Sequence, residues 1–261
     1  MRAQIFQLDA FTHRRFAGNP AAVVPLDRFL EDAVLRAVAI ENNLPATAFI
    51  VREDENYAIR WFTPTEEIEL CGHATLASAA VVLDRLEPGR RHVGFRSSSG
   101  PFEVSREDSG YRMGLPARAC ARLVHAPGLA DALGASPYEV WANEFSAVAV
   151  FENAAAVRSL EPSTIALSHL EWPAVIVTAP GDNGFDIVSR YFAPKKGIAE
   201  DPVTGAAHCT LAPYWTSRLG VSEFRAYQAS RRGGEMVCRI VDDRVELESN
   251  CIFFLEGEIT I

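Results

Sequence analysis

The sequence predicts an α+β protein built from two pseudo-symmetric lobes. Two observations carry this. Many short apolar runs bounded by Gly, Pro, Asn and Asp read as strands, while few stretches keep a helical period. One motif also occurs twice. Trp61-Phe62-Thr63-Pro64 precedes His73-Ala74-Thr75-Leu76-Ala77, and Tyr191-Phe192-Ala193-Pro194 precedes His208-Cys209-Thr210-Leu211-Ala212. Self-similarity at so long a spacing implies two copies of one supersecondary unit.

Taken in order, Gln4 to Phe11 alternates as a strand, and Phe16-Ala17-Gly18-Asn19-Pro20 forms a turn before a strand at Ala21 to Val24. Asp27 is expected to cap a helix from about Arg28 to Asn43, with Phe29, Ala33, Leu35, Ala37 and Ile40 on its apolar face. Strands follow at Ala48 to Arg52, Tyr57 to Phe62, Val93 to Phe95 and Phe102 to Arg106, the last two separated by a turn at Ser97-Ser98-Ser99-Gly100. Periodicity lapses from Leu115 to about Pro127. The expected lobes are therefore residues 1–117 and 118–261, with the last strand able to return to the first lobe. In the second, Ala147 to Phe151, Ala174 to Thr178, Phe185 to Phe192, Phe224 to Ala229, Val237 to Val241 and Arg244 to Glu248 read as strands, with a hairpin turn at Asp242-Asp243. This is not the alternation of a βαβ wind.

Two helix starts carry the chemistry. Gly72 opens a helix that is apolar nearly all round, hence buried. Asp201-Pro202 is expected to open the second, with Asp as cap and Pro in the first turn. Buried helix starts present N–H groups that need partners and favour an anion, and glycine lets a ligand approach the backbone. His73 and Asp201, read as matched places in the repeat, offer acid–base groups. Cys71 at a helix N-terminus is a further candidate base, or a small buried apolar residue. His208, about a turn into the second helix, reads as a structural hydrogen-bonder.

Composition limits the alternatives. A net charge of −9 and no long Lys/Arg cluster argue against nucleic acid. No apolar run is long enough for a membrane span, and no signal peptide is visible. Five scattered cysteines argue for a reducing cytoplasm and against a disulfide framework. No Cys-x-x-Cys or close His pair suggests a metal.

At these residues the sequence resembles the phenazine-biosynthesis PhzF-like family, which shares its fold with diaminopimelate epimerase. The matching stretches are Leu8 to Thr12, Phe16 to Val23, Trp61 to Pro64, Glu69 to Ala77, Ser99-Gly100, Arg190 to Pro194 and Glu200 to Gly205. The resemblance implies two lobes, each a β-roll or barrel around a central helix, often in a homodimer. It also implies cofactor-free proton transfer on a small carboxylate. His73 and Asp201 match the family's active-site His and Asp. Asn19, Gly72, Ala74, Gly205 and Ala206 fall in the stretches expected to line the substrate. The family usually carries a proton-shuttling Glu in a loop stretch like Asn-Leu-Ser-Glu-Thr-Ala-Phe. Here that stretch is Asn43-Leu44-Pro45-Ala46-Thr47-Ala48-Phe49, and Ala46 cannot move a proton. Ala206 replaces a frequent Ser.

Two functional expectations follow. One is an isomerase in which Asp201 works with Cys71 or His73. The other is a small-anion-binding member with weakened or lost catalysis, motivated by Ala46 and Ala206. A purely structural role has no positive support in the sequence.

Overall fold

The computed structural model describes residues 1–261 and divides into two compact units. The first holds Met1–Gly114 with Glu248–Ile261, and the second holds Leu115–Leu247. The C-terminal segment thus belongs with the first unit.

In the first unit β1 (Arg2–Ala10) pairs antiparallel with β2 (Asn19–Leu26) and with the C-terminal strand Cys251–Thr260. Helix α1 (Asp32–Asn42) carries the chain to β3 (Ala46–Glu53), parallel to β2. Strand β4 (Asn56–Phe62) turns back against β3 and holds the short β5 (Glu67–Ile68) on its far end. Helix α2 (Gly72–Val81) then crosses to β6 (His92–Ser97), parallel to β4. Strands β7 (Gly100–Glu107) and β8 (Gly110–Pro116) follow as antiparallel neighbours.

The period-2 pattern of β3 decides what each face meets. Phe49 and Val51 join Ala22, Val24, Phe62 and the α1 residues Leu35 and Ala39 in one cluster. The opposite face carries Ala46, Ala48 and Ile50, and α2 packs on β1, β2 and β3. Every α2 residue from His73 to Val81 is buried, as its all-round apolar sequence requires.

Helix α1 starts later than Asp27 predicts. Its N-cap is Glu31, because Phe29 and Leu30 pack against the cluster from the preceding loop and leave no helical turn there. It ends on Asn43 in the left-handed conformation, whose N–H reaches the carbonyls of Ala39 and Ile40.

The second unit repeats the plan. Strands β9 (Ala121–Leu123), β10 (Glu139–Ala142) and β11 (Ala147–Val150) are antiparallel neighbours, with α3 (Leu129–Leu133) between the first two in sequence. Helices α4 (Ala154–Ser159) and α5 (Thr164–Ser168) lead to β12 (Val175–Pro180), parallel to β11. Strand β13 (Ile187–Ala193) is antiparallel to β12 and holds the short β14 (Ile198–Asp201). Helix α6 (Gly205–Leu219) crosses to β15 (Glu223–Gln228), parallel to β13 and antiparallel to β16 (Gly234–Val241). Asp242, at φ 53°, turns the chain toward β17 (Arg244–Ser249).

The order of parallel and antiparallel pairings from β1 to β7 therefore matches that from β10 to β16, element for element. The sheets are mixed, with parallel pairs only where helices carry the chain across, so the class is α+β and not a continuous βαβ wind. Pro213 sits inside α6 and cannot donate to the carbonyl of Cys209 four residues back. The N–H of Arg118 takes that carbonyl at 2.9 Å.

Candidate active site

In the first unit the chain leaves β5 and reaches Cys71 in an extended conformation, φ −141° and ψ 96°, as the N-cap of α2. Ser99 pins the approach by donating to the Glu69 carbonyl at 2.6 Å. The Cys71 carbonyl accepts both the N–H and the hydroxyl of Thr75, at 3.0 and 2.7 Å. The Cys71 thiol is thereby placed 3.4 Å from Nδ1 of His73. Burial pushes the His73 imidazole down to about 4, so the ring is neutral at neutral pH. A neutral ring offers one nitrogen that accepts a thiol proton and one that donates. The pair can hold or pass a proton.

In the second unit Asp201 ends β14, directly across from Tyr191 of β13. Its carboxylate Oδ2 accepts the hydroxyl of Thr204, the N-cap of α6. Gln228, the fully buried last residue of β15, donates to the Asp201 carbonyl at 2.8 Å and accepts the Thr204 N–H at 2.8 Å. Burial, reinforced by the Asp201 charge and offset in part by Arg118, pushes the Tyr191 phenol up to about 12. His208 fits its structural reading. Its Nδ1 lies 2.9 Å from the Thr204 carbonyl, its Nε2 3.4 Å from Ser189 Oγ, and burial lowers it to about 4.

Two expectations change. Asp201 does not cap α6, because pairing with Tyr191 keeps it in strand β14; Thr204 is the cap and Gly205 the first helical residue. Nor are His73 and Asp201 matched places in the repeat. Aligned by their helix starts, Cys71-Gly72-His73 corresponds to Thr204-Gly205-Ala206, and the strand register matches Asp201 with Ile68, the partner of Trp61. The His-x-Thr-Leu-Ala repeat lies two residues out of phase with this. What the starts share is a small polar cap, then glycine. Neither cap side chain accepts a backbone N–H of its own helix.

The remaining predicted residues are placed as follows. Gly72 and Gly205 are the first residues of their helices, and Ala74 and Ala206 lie in the first turns. Asn19 is fully buried at the start of β2, opposite Ala10. Ala46 is fully buried as the first residue of β3, opposite Ala21, and so belongs to the sheet and not to the preceding loop. Thr204, Gln228 and Tyr191 are not among the site residues that the sequence predicts. The signal for Thr204 was present as a hydroxyl residue before Gly205, whereas only the pairing of β13 with β15 brings in Gln228.

The signature of the PhzC-PhzF family, described as phenazine biosynthesis-like protein, matches residues 8–257. The chain belongs to the PhzC-PhzF family. A Pseudomonas aeruginosa protein named as an uncharacterized isomerase is 44% identical over 262 residues, covering 100% of both chains. A crystal structure of a PhzF-family protein from Enterococcus faecalis is 41% identical, with a TM-score of 0.97 and 100% of both chains covered. More distantly, a hydroxyproline epimerase from Agrobacterium vitis, solved with trans-4-hydroxy-L-proline bound, shares the fold. That match has 7% identity and a TM-score of 0.62, covering 99% of this chain and 92% of that one. The epimerase-like α+β fold expected from the resemblance is the one this PhzC-PhzF member has, and relatives 44% and 41% identical to it are named as uncharacterized isomerases.

Proposed function

We propose that the protein is an isomerase or epimerase that moves a proton on a small carboxylate without a cofactor. The observation that carries this reading is the Cys71–His73 contact at a glycine-started, buried helix, in a chain where the resemblance puts Ala46 at the place of the family's usual Glu. The substrate carboxylate is held by backbone N–H groups at a helix start, which suits an acidic protein. Asp201 removes a proton from the carbon beside that carboxylate. The electron pair delocalises into the carboxylate as an enediolate, and a protonated acid–base group returns a proton to carbon. Protonated Asp201 gives its proton back to solvent before the next turnover, and the Cys71 thiol beside neutral His73 is the first unit's candidate proton carrier, exchanging its proton with solvent through the ring. The reverse direction runs the same steps backward.

Incubating candidate amino and hydroxy acids with the enzyme in D2O tests this. Deuterium at the α or γ carbon of a bound carboxylate, lost in Asp201→Asn and in Cys71→Ala, is the expected result. Binding with no incorporation for every carboxylate that shifts the melting temperature would leave a small-anion-binding protein, the reading that Ala46 and Ala206 also support. We further expect a cytoplasmic homodimer, for which sedimentation gives the direct test.

A further inference from the structure

We propose that Gln228 is a positioning residue for Asp201, acting through Thr204 to aim its carboxylate and keep it ionised. This rests on the reading of Asp201 as a proton-transfer group. The geometry allows only one direction of hydrogen bonding. The Thr204 N–H can only donate, so the Gln228 atom 2.8 Å from it is Oε1. That fixes the amide, whose Nε2 then donates to the Asp201 carbonyl at 2.8 Å and to the Thr204 hydroxyl oxygen at 3.2 Å. With its oxygen already receiving a proton from Gln228, the Thr204 hydroxyl directs its own proton to Asp201 Oδ2. A flipped amide would set N–H against N–H. Gln228 is fully buried, so neither contact is exchanged for water.

A bond donated to a carboxylate favours the ionised form. Other titratable groups lie on the neighbouring elements. Tyr191, across the strand pair, is held protonated, with Arg118 acting on the same phenol. His208 of α6 is neutral and bound to the Thr204 carbonyl.

The fold alone does not demand this arrangement. Ser97 ends β6 as Gln228 ends β15, but its hydroxyl serves its own turn, donating to the Gly100 carbonyl and accepting from the Ser99 N–H. The first unit therefore has no equivalent clamp on Cys71 from this position. The repeat was differentiated here, one copy carrying thiol and imidazole and the other a clamped carboxylate.

The test is the titration of the Asp201 carboxyl by carbon NMR, assigned with Asp201→Asn and read without substrate. Gln228→Met keeps the shape and removes both donors. It is expected to raise the Asp201 pKa by about one unit, and Thr204→Val by a similar amount. Thr204→Ser is expected to stay near the parent value, and the double variant Gln228→Met/Thr204→Val to add little to either single one. With a turned-over carboxylate, the acidic limb of the rate profile moves up by the same amount, and kcat falls more than KM changes. An unshifted Asp201 titration in folded Gln228→Met overturns the proposal. If that variant does not fold, equal Asp201 titrations in Thr204→Val and Thr204→Ser overturn it. A shifted titration with no deuterium exchange in any carboxylate would uphold the clamp and remove the isomerase reading instead.

Discussion

Cys71 Sγ lies 3.4 Å from His73 Nδ1, with the two residues flanking the first glycine of a helix buried along its length. The contact arises because extended geometry at the cap turns the thiol back over the helix start. If this pair moves the proton that the family's Glu usually handles, Cys71→Ala should lower solvent deuterium incorporation by ~10²–10⁴-fold. Mass spectrometry of the carboxylate after a timed incubation reads this directly. An undiminished rate would exclude the thiol.

Placing an acid at position 46 separates the two functional readings. Ala46 is fully buried in β3, so Ala46→Glu should lower the melting temperature, by an amount corresponding to roughly 1–3 kcal/mol, from burying a carboxyl group. It should not raise the exchange rate where Cys71 already does the work. A gain of activity from an inactive parent would favour the binding-protein reading.

Stability should depend on pH through two histidines. His73 and His208 are both held near 4 instead of 6.5 by burial, so the unfolded chain binds more protons between those values. Their contribution is present in full above about 6.5 and is lost as the pH falls toward 4. Each is worth at most roughly 3 kcal/mol over that window. Urea midpoints from pH 7.5 to 4.5 should fall accordingly, and a folded His208→Gln variant should fall less steeply.

The turn before Asn19 should tolerate no side chain. Gly18 has φ 68°, and a Cβ there would stand 2.2 Å from the Ala10 carbonyl oxygen. Gly18→Ala should cost roughly 1–3 kcal/mol, read from chemical denaturation, as strain in the turn leading into β2. A cost near zero would mean that β1 and β2 shift apart without penalty.

The sequence by itself determined the class, the duplication and the start of the first buried helix at Cys71-Gly72, while it puts the second start too early, at Asp201-Pro202. These depend on local rules. Alternation marks strands, an all-round apolar run marks a buried helix, and glycine after a small polar residue marks a helix start that a ligand can approach. Cys71, Gly72 and His73 are legible in this way.

Tertiary structure alone decided how the copies correspond and which residues meet. The His-x-Thr-Leu-Ala repeat suggested one alignment, but strand register and helix starts impose another, in which Cys71 matches Thr204 and Ile68 matches Asp201. Asp201 looked like a helix cap because Asp before Pro often is one. Antiparallel pairing with Tyr191 outweighs that local preference and keeps it in a strand. Gln228 reaches Thr204 across 24 residues of sequence because β15 runs parallel to β13. Side-chain partners set by strand pairing over such separations have no local signature, since the hydrogen bonds that select them form only when the sheet does.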